Sequence, residues 1–217
     1  MTDFSARRTM MVDTQVRPSD VTKFPIIEAM LSVPREDFVP ASQREAAYMG
    51  ENIELSDNRV ILEPRTLAKM LDVLDIGQDE LVLDIGAGYG YSSAVIAHMA
   101  QAVVALEEDN AMVEDAKDAL VAANADNVVI EHGSLFAGAA EHGPYDVIII
   151  QGGVSRLPQA IISQLKEGGR IACLFMEDAL GEVRIGYKMD EHISWRRSFN
   201  AGAPVLNGFE RHIGFQL

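Results

Sequence analysis

The chain has 217 residues, 48% of them hydrophobic and 24% charged, which fits one ordinary folded domain with a short appendage and excludes a disordered or fibrous protein. Eighteen Lys and Arg against thirty-three Asp and Glu give a net charge of −15, unfavourable for nucleic acid and for anionic membrane surfaces alike. The single cysteine, Cys173, forms no bridge within the chain, and no Cys/His cluster has zinc spacing.

The N-terminal stretch MTDFSARRTMMVDT is polar and lacks the apolar core of a signal peptide. The longest nearly apolar run, Ala94 to Leu106, is interrupted by His98 and Gln101 and is too short for a membrane span of about 20 residues. The expected compartment is therefore a reducing cytoplasm. Residues 1–78 read as mostly helical, broken at Pro18, Pro25, Pro34, Pro40 and Pro64, and form a lid or substrate segment on the domain that follows.

Residues 79–217 form that domain. Leu81-Val82-Leu83 is a strand, followed by a glycine turn and a helix from Ser92 to Ala100. A second strand, Val103 to Leu106, precedes a helix over Asn110 to Asn124, where Met112, Ala116 and Leu120 share one face. Val128 to Ile130 and Tyr145 to Ile150 are the third and fourth strands. A helix over Pro158 to Lys166, closed by Gly168-Gly169, leads into a fifth strand, Arg170 to Phe175. Strands buried on both faces and separated by helices predict a parallel sheet with helices on both sides. Glu182 to Met189, Ile193 to Phe199 and Glu210 to Leu217 are strand-like with short turns between them, so the C-terminal end is expected to be antiparallel.

The most informative stretch is Asp84-Ile85-Gly86-Ala87-Gly88-Tyr89-Gly90-Tyr91, between a strand and a helix, where open α/β sheets bind ligands. The dinucleotide fingerprint calls for a third glycine where this chain has Tyr91, and no Lys or Arg lies between Asp79 and Ala116. Asp84 adds a negative charge beside the turn. This combination opposes pyrophosphate and suits a cationic ligand without phosphate, such as S-adenosylmethionine. Glu107, at the end of the second strand, is placed to accept hydrogen bonds from ribose hydroxyls, and Glu107→Gln is expected to weaken cofactor binding with the fold intact. No Ser/His/Asp arrangement is present, and the five histidines read as surface or loop residues. Trp195 with Arg196 and Arg197 reads as a strand-face residue flanked by solvated arginines, and Cys173 as a small apolar residue of the fifth strand.

The turn resembles that of the class I methyltransferases. Met11-Val12, Gln15, Arg17, Ile27-Glu28-Ala29-Met30 and above all Val33-Pro34-Arg35-Glu36-Asp37-Phe38-Val39-Pro40 narrow the resemblance to the protein-L-isoaspartate O-methyltransferase family. Ala47-Tyr48, Pro64, Gly143-Pro144-Tyr145-Asp146 and Leu165 to Arg170 continue it over about residues 10–175. The resemblance implies a three-layer Rossmann-like α/β methyltransferase fold, S-adenosylmethionine as cofactor, and a protein or peptide carboxylate as acceptor. It implies protein repair through O-methylation of isoaspartyl residues. No nucleic acid, membrane or metal is expected as a partner, and no catalytic residue is assigned.

Cofactor contacts are expected at Asp84, Gly86, Ala87, Gly88, Tyr91, Glu107, Glu108, Gly133 and Ser134, and the substrate entrance at Arg59, Val60, Leu62 and Pro64. Two departures bear on this expectation. Where the family carries Gly-Gln-Thr-Ile-Ser, this chain has Asn58-Arg59-Val60-Ile61-Leu62, so both hydroxyls are replaced by apolar groups. The family's Gly-Asp near the adenine reads Gly133-Ser134. Arg59 is read either as a carboxylate clamp or as a surface arginine. The alternatives to isoaspartyl repair are methylation of a different acceptor and a cofactor-binding homologue without repair activity.

Overall fold

Along the strands of the central sheet, apolar side chains point to both faces, so each face needs its own cover. In the computed structural model, which describes residues 3–56, 58–177, 180–190 and 192–211, both faces are covered. The order is α1 (Phe4–Met11), α2 (Phe24–Ser32), β1 (Ile53–Ser56), β2 (Arg59–Ile61), α3 (Pro64–Leu74), β3 (Leu81–Ile85), α4 (Tyr91–Ala97) and β4 (Ala102–Glu107). There follow α5 (Asn110–Ala122), β5 (Val128–His132), β6 (Tyr145–Val154), α6 (Gln159–Ser163), β7 (Leu165–Glu177), β8 (Leu180–Met189) and β9 (His192–Ala201).

The seven-stranded sheet has the order β5-β4-β3-β6-β7-β8-β9. Pairing is parallel from β5 to β7 and antiparallel for β8 and β9, the predicted mainly parallel sheet with an antiparallel end. Val82, Val103, Val147, Ile149, Ala172 and Leu174 face one side and join a core with α2, α3 and α4. Leu83, Ile85, Val104, Leu106, Ile148, Ile150, Ile171 and Cys173 face the other, under Ile161 of α6 and under Leu206 and Phe209. From β3 the chain builds outward through β4 to β5, then returns to place β6 on the other side of β3. The switch point falls at the carboxyl end of β3, where such sheets bind ligands.

Several boundaries differ from the sequence reading. The N-terminal segment is helical as expected, with Pro25 and Pro64 in the first turns of α2 and α3, but it also contains the antiparallel hairpin β1–β2. The helix expected to reach Ala100 ends at Ala97, and that expected to reach Asn124 ends at Ala122, two residues before Asn124 turns left-handed at φ 55°. The helix expected over Pro158 to Lys166 is only Gln159–Ser163, because Leu165 already pairs with Tyr145 as the start of β7. Gly168, at φ 75°, lies where the β6–β7 register jumps between Tyr145 and Val147, so it serves an irregularity in the strand and not a helix cap. Glu210 and Arg211 are not in a strand, and the rest of the expected last strand lies outside the described residues. Cys173 is buried within β7, and Trp195 of β9 packs edge-on against Phe175 with ring centres 5.0 Å apart.

The segment between α3 and β3 is tied to the sheet by Arg170 of β7, which donates to both oxygens of Glu80 at 2.7 and 2.8 Å and to the carbonyls of Leu74 and Asp75. The hydrogen bonds from Arg170 hold the Glu80 carboxyl below its ordinary value, against the opposing effect of partial burial. A depressed carboxyl contributes stability above the unfolded value of 4.5, and loses it as pH falls through the folded value. Glu80→Gln should therefore cost about 2 kcal/mol in urea unfolding at pH 7. The difference from wild type should shrink below pH 4.5; a gap that persists unchanged at pH 3 would contradict the assignment.

Candidate active site

The glycine turn needs backbone that side chains resist. Gly86, Gly88 and Gly90 have φ of 82°, 57° and 90°, in the left-handed region that glycine enters without steric cost. The amides of Gly86 and Ala87 both donate to the Leu106 carbonyl, at 2.9 and 3.2 Å, which draws the turn against the end of β4. Gly90 precedes α4, a helix of seven residues.

Asp84, the last but one residue of β3, is fully buried, and both of its oxygens are engaged within the chain. Oδ2 accepts from the hydroxyls of Ser92 and Ser93, each at 2.6 Å, and Oδ1 from the Gln151 amide at 2.8 Å. Burial pushes its carboxyl upward, opposed by these three donors. Asp84 thus ties β3 to the first turn of α4 and to β6. The sequence reading missed Ser92, Ser93 and Gln151 as its partners.

Glu107 is also fully buried. Its Oε1 accepts from the backbone amides of Glu108 and Asp109 at 2.8 and 3.0 Å, and its Oε2 from that of Gly88 at 2.7 Å. The guanidinium of Arg59 then spans both oxygens, Nη1 at 2.6 Å from Oε1 and Nη2 on Oε2. Arg59 is 3% exposed, so the surface-arginine reading is corrected: it is a clamp, and the carboxylate it holds belongs to the same chain. Its Nε, also buried, has no hydrogen-bond partner among the described residues. Glu107→Gln would leave this buried cation without its carboxylate, so a loss of stability is expected beside the weaker cofactor binding.

Arg59 reaches Glu107 because the β1–β2 hairpin lies over the glycine turn. Asn58, left-handed at φ 59°, closes the hairpin, and Ser56 pairs with Arg59 across a register irregularity. A Cβ on Gly88 would come 2.8 Å from a methyl of Leu55, and one on Gly86 would come 3.5 Å from Nη2 of Arg59. The hairpin is anchored by the Asn52 amide on the Gly202 carbonyl at 2.8 Å and the Gln43 amide on the Glu54 carbonyl at 2.6 Å. A second cover runs along Ala203 to Phe209, where Gly153 and Pro204, then Leu206 and Gly153, exchange backbone hydrogen bonds. Leu206 lies against both Gly86 and Gly152.

The remaining expected residues divide between this crevice and the core. Ala87 is buried in the turn. Glu108 lines a hollow of about 520 Å³ with Ser56, Arg59, Asp109 and Asn207; desolvation raises its carboxyl, with Arg59 opposing. The Gly133 amide donates to the Glu107 carbonyl at 2.9 Å, and Ser134 is exposed beside it. Tyr91 is packed in the apolar core with its ring 4.7 Å from the guanidinium carbon of Arg35 and edge-on to Phe38. Val60, Leu62 and Pro64 are buried, so they do not form an open entrance in this conformation. Asp109, which the sequence reading passed over, caps α5 by accepting from the amides of Ala111 and Met112; an Asp immediately before a helical run was the signal.

Known proteins are similar to this chain over most of its length. The family described as Protein-L-isoaspartate(D-aspartate) O-methyltransferase matches residues 7–181. The Protein-L-isoaspartate O-methyltransferase 1 of Rhodopseudomonas palustris (strain HaA2) is 36% identical over 170 residues, covering 78% of this chain and 69% of the relative. The Protein-L-isoaspartate O-methyltransferase of Syntrophus aciditrophicus (strain SB) is 36% identical over 171 residues, 79% of this chain and 78% of the relative. A solved protein-L-isoaspartate O-methyltransferase superposes with TM-score 0.80 at 25% identity, over 93% of this chain and 66% of that one. A Plasmodium falciparum structure, described as a complex with S-adenosyl-L-homocysteine, shares the fold with TM-score 0.77 at 19% identity.

Proposed function

Because the chain belongs to the protein-L-isoaspartate(D-aspartate) O-methyltransferase family, whose cofactor is S-adenosylmethionine, we propose that it methylates the free carboxylate of isoaspartyl residues in proteins. The observation that carries the reading is the buried Glu107 carboxylate at the end of β4, set against the glycine turn, where its oxygens can accept from ribose hydroxyls. The residues present fit the cofactor. Glu107 supplies acceptors for ribose hydroxyls, and Gly86 and Gly88 leave space for a ligand, space that Arg59 and Leu55 take in this conformation.

When bound, the cofactor supplies a methyl already activated on a sulfonium. What remains for the chain is binding, alignment and exclusion of water. An acceptor carboxylate with a pKa near ~4 is ionised at pH 7 and needs no base. Asp84 holds the turn in register with α4 and β6. The turn (Gly86, Ala87, Gly88), Glu107, Glu108, Gly133 and Ser134 form the cofactor side, with Tyr91 behind the turn. Arg59, Val60, Leu62 and Pro64 form the acceptor side once the hairpin opens, and the hairpin excludes water when it closes.

Incubating the protein with methyl-labelled cofactor and an isoaspartyl peptide should give a base-labile methyl ester, with none on the matching aspartyl peptide. Binding of the cofactor with no transfer would overturn the reading in favour of a homologue without turnover.

A further inference from the structure

We propose that Arg59 is an exchangeable latch, which holds the ribose-binding edge of Glu107 in the closed protein and passes to the acceptor carboxylate when the cofactor binds. The inference rests on the function proposed above and adds an order of events to it. A carboxylate has about four lone-pair sites. Glu107 already receives three backbone amides and both terminal nitrogens of Arg59. The backbone donors are fixed by the strand end and the turn, so a ribose diol gains Glu107 only by displacing Arg59.

A displaced guanidinium cannot stay buried without an anion. Arg59 borders two hollows. The larger carries Glu108 and Asp109 and repels an anion. The other, about 440 Å³, is lined by Gln43, Leu55, Ser56, Asn58, Val60 and Pro204, with Glu54 as the single acid among its described residues. An acceptor carboxylate there would meet the guanidinium fork in the two-pronged geometry that Arg favours, and would give the unpartnered Nε an acceptor. Cofactor and acceptor then strengthen each other's binding by the same factor, since coupling between two sites is reciprocal.

The test is calorimetric titration of the full chain with S-adenosylhomocysteine, alone and with an isoaspartyl peptide. Arg59→Gln should bind S-adenosylhomocysteine about tenfold more tightly than wild type, within the usual range of coupling between sites. Arg59→Lys should fall between them, because lysine replaces the fork with a point charge. In wild type each ligand should raise the affinity of the other, and Arg59→Gln should lose that coupling. If Arg59→Gln misfolds, the ranking of Arg59→Lys against wild type decides the question. Unchanged or weaker affinity in the variants, or no coupling in wild type, overturns the proposal. Coupling that depends on Arg59 without any methyl transfer would leave the latch standing while the proposed reaction fails.

Discussion

Glu107→Gln should lower the stability of the protein by about 3–5 kcal/mol, the usual cost of breaking a buried ion pair by removing one partner. Glu107 and Arg59 are 0% and 4% exposed at their side chains, so the cation that the substitution leaves behind is largely shielded from water. The glutamine oxygen could serve either the amides of Glu108 and Asp109 or that of Gly88, and its NH₂ would face the remaining backbone donor and the guanidinium. Urea unfolding at pH 7 measures the loss directly. The double variant Arg59→Gln/Glu107→Gln should recover a large part of it, because two amides can bond to each other. Additive losses in that cycle would show that the two residues do not act as a pair. The same single substitution should also weaken binding of S-adenosylhomocysteine, so binding is read at a temperature where the variant is still folded.

The second large effect is expected at Asp84. Asp84→Ala removes the acceptor for the hydroxyls of Ser92 and Ser93 and the amide of Gln151, all in buried surroundings. At about 1 kcal/mol for each orphaned donor, the low end of such costs, the loss is roughly 3 kcal/mol. Asp84→Asn keeps an oxygen for the serines, and Gln151 can turn its amide to meet the new NH₂, so most of the stability should return. The pH dependence separates charge from geometry. Burial raises the Asp84 carboxyl above its unfolded value of 3.8, so the wild-type protein carries its full contribution below that value and loses it as pH rises through the folded one. Asp84→Asn has no such loss, and its stability relative to wild type should therefore improve with rising pH above 3.8. A difference that stays flat with pH would mean that the carboxyl is not raised.

The sheet, with its parallel core and antiparallel end, was legible in the sequence, because strands such as Val147 to Ile150 are apolar at every position and only a structure covered on both faces buries them. So was the turn, since three glycines between a strand and a helix admit few backbone paths, and Glu107 was marked by its place at a strand end. Ends of helices were less legible: α6 reads as a longer helix until β6 claims Leu165 through long-range pairing. The role of Arg59 emerges only once the chain is folded. Its partner lies 48 residues away, and the hairpin that carries it is a pairing of two short, irregular strands. Nothing local distinguishes a solvated arginine from one buried on a carboxylate. That difference arises when the hairpin folds across the end of the sheet and leaves a charge with one place to go.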